Sequence, residues 1–79
     1  MEDEAVKWEM EKVCDICHRP ITGTLYDAQR NDRPFEWATM CAGCFRQYGI
    51  RLGLGYGQRY AQGGDGEFYL AEGMEERDR

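Results

Sequence analysis

The chain has 79 residues, of which 42% are hydrophobic and 32% charged, and it carries a formal net charge of −5. A chain this short forms one small domain whose apolar core is marginal by itself, so a metal, disulfides or a partner is expected to support it. The acidic balance argues against a strongly basic nucleic-acid binder, and no apolar run approaches the ~18 residues of a membrane-spanning helix.

The charge is unevenly placed. Residues 1–12 hold five acids and two lysines, and residues 65–79 hold six acids and two arginines. Between them, residues 13–64 hold four acids and six arginines, with no lysine. Arginine presents a planar fork suited to carboxylate and phosphate. The organisation read from this is an acidic N-terminal segment over 1–12, a central domain over 13–70 with a Gly-rich segment at 49–64, and an acidic tail over 71–79. Residues 1–4 and 72–79 are too charged and too poor in apolar side chains to repay their ordering entropy. They are expected to be disordered and dispensable for folding.

Taken in chain order, Val6, Trp8 and Met10 alternate with charged residues and predict a half-buried strand. Val6, Met10 and Val13 also fit a helical stripe. Residues 14–20 predict a metal knuckle, a tight turn whose backbone N–H groups point at sulfur. A short strand follows over 24–28, then turn chemistry over 30–34, then a returning strand over 35–40. Thr39 is positioned to cap a helix opening at Met40 or Cys41. Phe45 and Tyr48 lie on that helix, and Gly49 ends it. Residues 67–70 read as a last short strand.

All four cysteines fall in two pairs, Cys14-Asp-Ile-Cys17 and Cys41-Ala-Gly-Cys44. Two intervening residues let both sulfurs of a pair turn toward one point, and two such pairs supply a closed tetrahedral site. This spacing reads as structural zinc. A helix opening at the second pair would stabilise thiolates through its free N–H groups. Other readings of the cysteines are weaker. Disulfides call for an oxidising compartment, whereas the acidic Met1-Glu2-Asp3-Glu4 start is unlike a secretory leader; the chain is expected to be cytoplasmic. Cys14-Asp-Ile-Cys17-His18 matches the c-type haem attachment motif, with Met40 or Met74 as second axial ligand, but haem leaves the second pair unexplained. No βαβ pattern surrounds either pair as in a thioredoxin-like redox site. Iron in the four-cysteine site is the alternative that survives, because tetrahedral sulfur suits zinc or iron.

The order knuckle, hairpin, then helix carrying the second pair resembles that of treble-clef zinc fingers, a small α+β class. The chain also resembles a group of small zinc proteins encoded by tailed bacteriophages. The residues carrying this begin with Cys14-Asp-Ile-Cys17, Pro20-Ile-Thr-Gly23 and Tyr26-Asp27. They continue through Trp37-Ala38, Met40-Cys41, Cys44-Phe45 and Tyr48-Gly49 into Leu52-Gly-Leu-Gly-Tyr-Gly-Gln58. The likeness covers somewhat over half the chain. His18 departs from it, standing where such knuckles usually carry Gly. The resemblance implies a metal-stabilised accessory protein without a defined activity.

His18, the one histidine, has four cysteines ahead of it as ligands, and no motif gives it an acid–base partner. Trp8, Tyr26, Phe35, Trp37, Phe45 and Tyr48 are expected to be core, with Trp37 covering the metal sulfurs. The candidate working surface is the segment from Arg46 to Tyr60, in which Arg46, Arg51, Tyr56 and Arg59 are the binding residues singled out. Its glycines would allow close approach of a partner, and Arg and Tyr are favoured contact residues. No Gly-Lys-Ser/Thr follows, so it is not a phosphate-binding loop. The bland alternative is a loop whose Leu52 and Leu54 cover the core. The expectation is a non-catalytic zinc module that contacts a protein, with nucleic-acid contact through the Arg/Tyr/Gly segment and an iron-thiolate redox protein as alternatives.

Overall fold

A computed structural model describes residues 6–33, 36–53 and 56–73. The described elements are β1 (Thr24–Gln29), β2 (Trp37–Cys41), α1 (Ala42–Tyr48), β3 (Gly57–Gln62) and β4 (Phe68–Glu72). The strands form one antiparallel sheet in the order β2-β1-β3-β4. The fold class is therefore a small α+β domain, and no helix among the described residues is long and apolar enough to cross a membrane.

Period-2 alternation sorts the side chains onto two faces. Leu25 lies opposite Cys41 on one side and Tyr60 on the other, and Tyr60 lies opposite Leu70. That face buries Leu25, Tyr60 and Phe68 with Cys14 and Ile21, and Val6, Trp8 and Leu70 pack against them. Trp8 meets Tyr60 edge-on, with ring centroids 5.2 Å apart. On the other face, Ala28, Ala38 and Met40 are buried beneath Phe45 and Tyr48 of α1. Tyr26 stacks flat on Phe45 at 4.1 Å. Ile16 and Cys44 touch both half-cores. Among the described residues only eight apolar side chains are buried, two of them alanines, which is thin insulation for a sheet with two covered faces.

The half-buried strand expected from Val6, Trp8 and Met10 forms only in part, as a single bridge between Lys7 and Tyr69, with Val6 and Trp8 packed on the core and Met10 outside it. Trp8 N–H donates to Phe68 O and Leu70 N–H donates to Val6 O, both at 2.8 Å, which adds residues 6–8 along β4. The helical stripe through Val6, Met10 and Val13 does not form, and Met10 stays 67% exposed. Farther on, Asp15 N–H donates to Thr39 O (2.7 Å) and Thr39 N–H donates to the Asp15 carboxylate (2.9 Å), fastening residues 14–20 along β2.

Three expectations are corrected. The helix begins one residue later than its latest predicted start, because Thr39 is held in β2 by Asp15 and Cys41 remains extended at φ −77°, ψ 170° as the N-cap. Gly49 does end it, in extended rather than left-handed backbone. There the helix-end carbonyls of Gln47 and Tyr48 accept from the side chain and backbone of Asn31. Second, residues 57–62 are not a loop but β3, a central strand. Gly57 is required there because a Cβ would lie 2.7 Å from the Ala28 Cβ on β1, and Gly53 takes φ +130° in the turn that precedes it. Third, β4 continues to Glu72, whose carboxylate accepts from Arg59 Nε at 2.7 Å, so the sheet runs past residue 70. Residues 1–4, 74–79, Phe35 and Leu54 lie outside the described residues.

Two chain ends test the last point. Ending the chain at Gly73 retains the Arg59–Glu72 pair, while ending it at Ala71 removes it together with the last ladder position of β4. The shorter form is expected to be less stable by about 1 kcal/mol, seen as a thermal midpoint several degrees lower. Equal midpoints would show that Glu72 adds nothing.

Candidate metal centre

The knuckle is built by backbone chemistry. Cys14 N–H donates to Arg19 O and His18 N–H to Cys14 O, at 3.0 and 2.9 Å, folding residues 14–19 into a tight loop. Inside it the N–H groups of Ile16 and Cys17 point at Cys14 Sγ, at 3.4 and 3.5 Å. Closing this loop requires left-handed backbone at His18, where φ is +66°. That is the position at which the resemblance led glycine to be expected. His and Asn are the residues that best tolerate it after glycine.

The second pair comes from the junction of two elements. Cys41 is the last residue of β2 and Cys44 lies in the first turn of α1. The β1–β2 pairing of Leu25 with Cys41 sets the height of this junction against the knuckle. The four Sγ atoms lie within 4.8 Å of one another, and Cys17 and Cys41 are 3.9 Å apart. Zinc–thiolate bonds of about 2.3 Å in a tetrahedron place sulfurs ~3.8 Å apart. Disulfide bonding needs about 2.05 Å, and all four cysteines are free thiols. The cluster therefore fits a metal ion, with Cys14 fully buried beneath it and Cys17 at the solvent side.

The protonation chemistry points the same way. Burial pushes the Cys14 thiol up, but the N–H groups of Cys17, Cys41 and Ile16, with the Cys44 thiol, outweigh it and bring its pKa down to about 6. Cys44 is pushed up to about 12, by burial first and then by hydrogen bonding to Cys14, Cys41 and Cys17. The backbone donors single out Cys14 to carry charge, while burial and its sulfur neighbours keep Cys44 protonated. Converging sulfurs accept a first negative charge readily and resist further ones, and a cation at their centre removes that conflict.

Other predicted site residues are distributed differently from the expectation. Trp37 does not cover the sulfurs. It stands four residues up β2 from Cys41, ~13 Å away at strand rise, and is 41% exposed. Met40, offered as a haem ligand, is fully buried in the second half-core. In the segment from Arg46 to Tyr60, the guanidinium of Arg51 lies 4.0 Å from the centre of the Tyr56 ring, and both side chains are exposed. Arg46 is exposed in the last turn of α1. Arg59 is tied to Glu72 on the sheet, and Tyr60 belongs to the core. The segment thus brings Arg51 and Tyr56 together, while its glycines at 53 and 57 serve the turn and the strand contact. Sequence reasoning missed the knuckle's carboxylate, Asp15. Its one available signal was its place inside Cys14-Asp-Ile-Cys17, and nothing in that spacing announces a partner on β2.

The fold and site define a small α+β domain with a four-cysteine cluster able to hold a metal ion. Comparisons with protein-family models, with curated proteins and with solved structures each found no match. What the structure supports is four clustered cysteines forming a candidate metal site in a small α+β domain.

His18→Gly separates a backbone role from a ligand role. Glycine relieves a left-handed conformation that costs an L-residue about 1 kcal/mol, partly offset by its freer unfolded chain. The variant is expected to keep full metal content with a thermal midpoint unchanged or slightly higher. Loss of metal affinity would make the imidazole a ligand.

Proposed function

We propose that this protein is a zinc-stabilised, non-catalytic interaction module of treble-clef type that contacts another protein. The observation carrying the metal half of this reading is the convergence of Cys14, Cys17, Cys41 and Cys44 Sγ within 4.8 Å. Zinc is favoured by its tetrahedral preference for thiolate and its availability, and four protein sulfurs leave no open position for a substrate or a reactive water. The metal would supply cross-linking, joining the knuckle to the β2–α1 junction. Iron would fit the same geometry. Its thiolate complex is coloured, and the absorption spectrum distinguishes it from colourless zinc.

For the contact half, the support is the exposed Arg51–Tyr56 pair at the end of the sheet remote from the cysteines. Guanidinium stacked on a ring is pre-organised, so less side-chain freedom is lost on binding. Arg46 and Arg59 complete the proposed contact set. A protein partner is preferred to nucleic acid because the net charge of −5 opposes long-range attraction to a polyanion. A metal-stabilised accessory protein of the phage type would act in this way, through contact with a host or phage protein in the cytoplasm.

Gently purified protein is expected to contain one zinc per chain by metal analysis. Cys→Ser at any of the four positions is expected to abolish cooperative folding, because zinc binding supplies on the order of 10 kcal/mol. That rivals the entire ~5–15 kcal/mol of a typical domain. Protein that is folded and metal-free after chelation would remove this reading.

Paired replacement Arg51→Ala/Tyr56→Ala addresses the contact. Both side chains are exposed, so the thermal midpoint is expected to hold while affinity for a captured partner falls by more than about 2 kcal/mol, as at interface hot spots. Were the partner nucleic acid, Arg51→Ala would instead lower the salt dependence of binding by about one unit. Unchanged capture would leave the segment a structural turn.

A further inference from the structure

On the sheet face that carries Trp37 and Asp27, a cleft of about 360 Å³ is lined by Trp8, Met10, Asp15, Asp27, Trp37 and Thr39. This volume is within the ~300–1,000 Å³ range of ligand pockets. It continues past Asp15 into a second hollow of about 280 Å³ that includes Glu11 and Val13. Its walls are unusual for so thin a core. Met10 and Trp37 are left exposed, although Trp37 follows a strand pattern that could have buried it.

Its charge is also unanswered. The ion pairs among the described residues are Lys12–Glu67, Arg30–Asp32, Arg33–Glu36 and Arg59–Glu72, and none involves the cleft. Asp15 takes the Thr39 N–H. Asp27 is half-buried on β1, and no described residue gives its side chain a hydrogen bond or an ion pair. Burial, and then the charge of Asp15, hold the Asp27 carboxyl above the usual carboxylate range. Burial, then the charge of Asp27, likewise raises the Tyr60 phenol. Two carboxylates therefore line a tryptophan-walled space, and no ion pair among the described residues answers either of them. The sulfur cluster is the one group of three or more metal-ligating side chains found among the described residues, so the carboxylates do not form an ion cage of their own.

We propose that this cleft is a docking site for an arginine side chain carried by a basic segment of a partner protein. A planar guanidinium stacks on indole faces and forks onto carboxylate, satisfying both walls at once. A compact ammonium would answer the charge and leave the rings uncovered. The site is separate from Arg51 and Tyr56, and stands or falls independently of the contact assigned to them.

The test is a titration of the isotope-labelled full chain with the peptide acetyl-Gly-Gly-Arg-Gly-Gly-amide, following the Trp8 and Trp37 indole N–H signals. The matching citrulline peptide has the same shape without the charge. Both indoles are expected to shift with the arginine peptide, and the citrulline peptide to bind about tenfold more weakly, as loss of a charged hydrogen bond implies. Asp27→Asn and Trp37→Ala are each expected to weaken arginine binding about fivefold or more. Asp27→Asn removes an unpaired half-buried charge, so its thermal midpoint is expected to be unchanged or higher, separating lost binding from lost folding. Arg51→Ala/Tyr56→Ala is expected to bind the peptide as the parent does. Equal affinity for the two peptides, or shifts confined to residues outside the cleft, overturns the proposal. That peptide comparison uses the unaltered protein and needs no variant to fold.

Discussion

Everything in this domain depends on four sulfurs meeting at one point. They come from a knuckle at residues 14–17 and from a strand–helix junction at residues 41–44. The two half-cores on opposite faces of the sheet are small, and Ile16 and Cys44, beside or within the cluster, are among the few residues that touch both. Burying a Leu or Phe fully contributes about 1.5–3 kcal/mol, and among the described residues only Leu25, Met40 and Phe68 are large, non-cysteine side chains at that limit. A metal cross-link at the four cysteines would contribute on the order of 10 kcal/mol and so would outweigh any single contact in the fold. A seven-residue helix would not persist in water by itself. It is held by Cys44 at one end, by Asn31 at the other, and by Phe45 on Tyr26 between them.

The legible parts of the sequence are those governed by local chemistry. The Cys-x-x-Cys spacing announces the cluster, because ligand geometry acts over a few residues. The alternation in Thr24-Leu-Tyr-Asp-Ala and in Trp37-Ala-Thr-Met announces the hairpin, and turn-forming residues between them place its bend. The strand character of Val6 and Trp8 is readable for the same reason. His18 is legible only through the resemblance, which led glycine to be expected there; the left-handed backbone at that position, φ +66°, is the kind glycine adopts most easily.

The parts that are not legible depend on residues distant in sequence. β3 is hidden because Gly57 and Gln58 look like loop residues. Their strand character comes from pairing with Ala28 and Asp27 on β1, and the missing Cβ of Gly57 is needed for that approach. Thr39 looks like a helix cap, but Asp15, 24 residues away, occupies its N–H. Trp37 looks like core because tryptophan usually is. Its exposure follows from the cleft in front of it, which no local pattern encodes. Arg51 and Tyr56 stand out alongside two further arginines, and only the turn at Gly53 explains why this pair meets.

The sheet has two outer strands, and both are fastened from the N-terminal side of the chain. Residues 6–8 lie along β4, and Asp15 closes on Thr39 of β2. An outer strand with free N–H and C=O groups is a template for pairing with another molecule, and folded proteins block it. Here one of the two blocks is part of the metal knuckle itself. A cation bound by the four cysteines would therefore do more than cross-link the domain: by fixing the knuckle it would keep Asp15 on β2 and guard that edge against edge-to-edge aggregation.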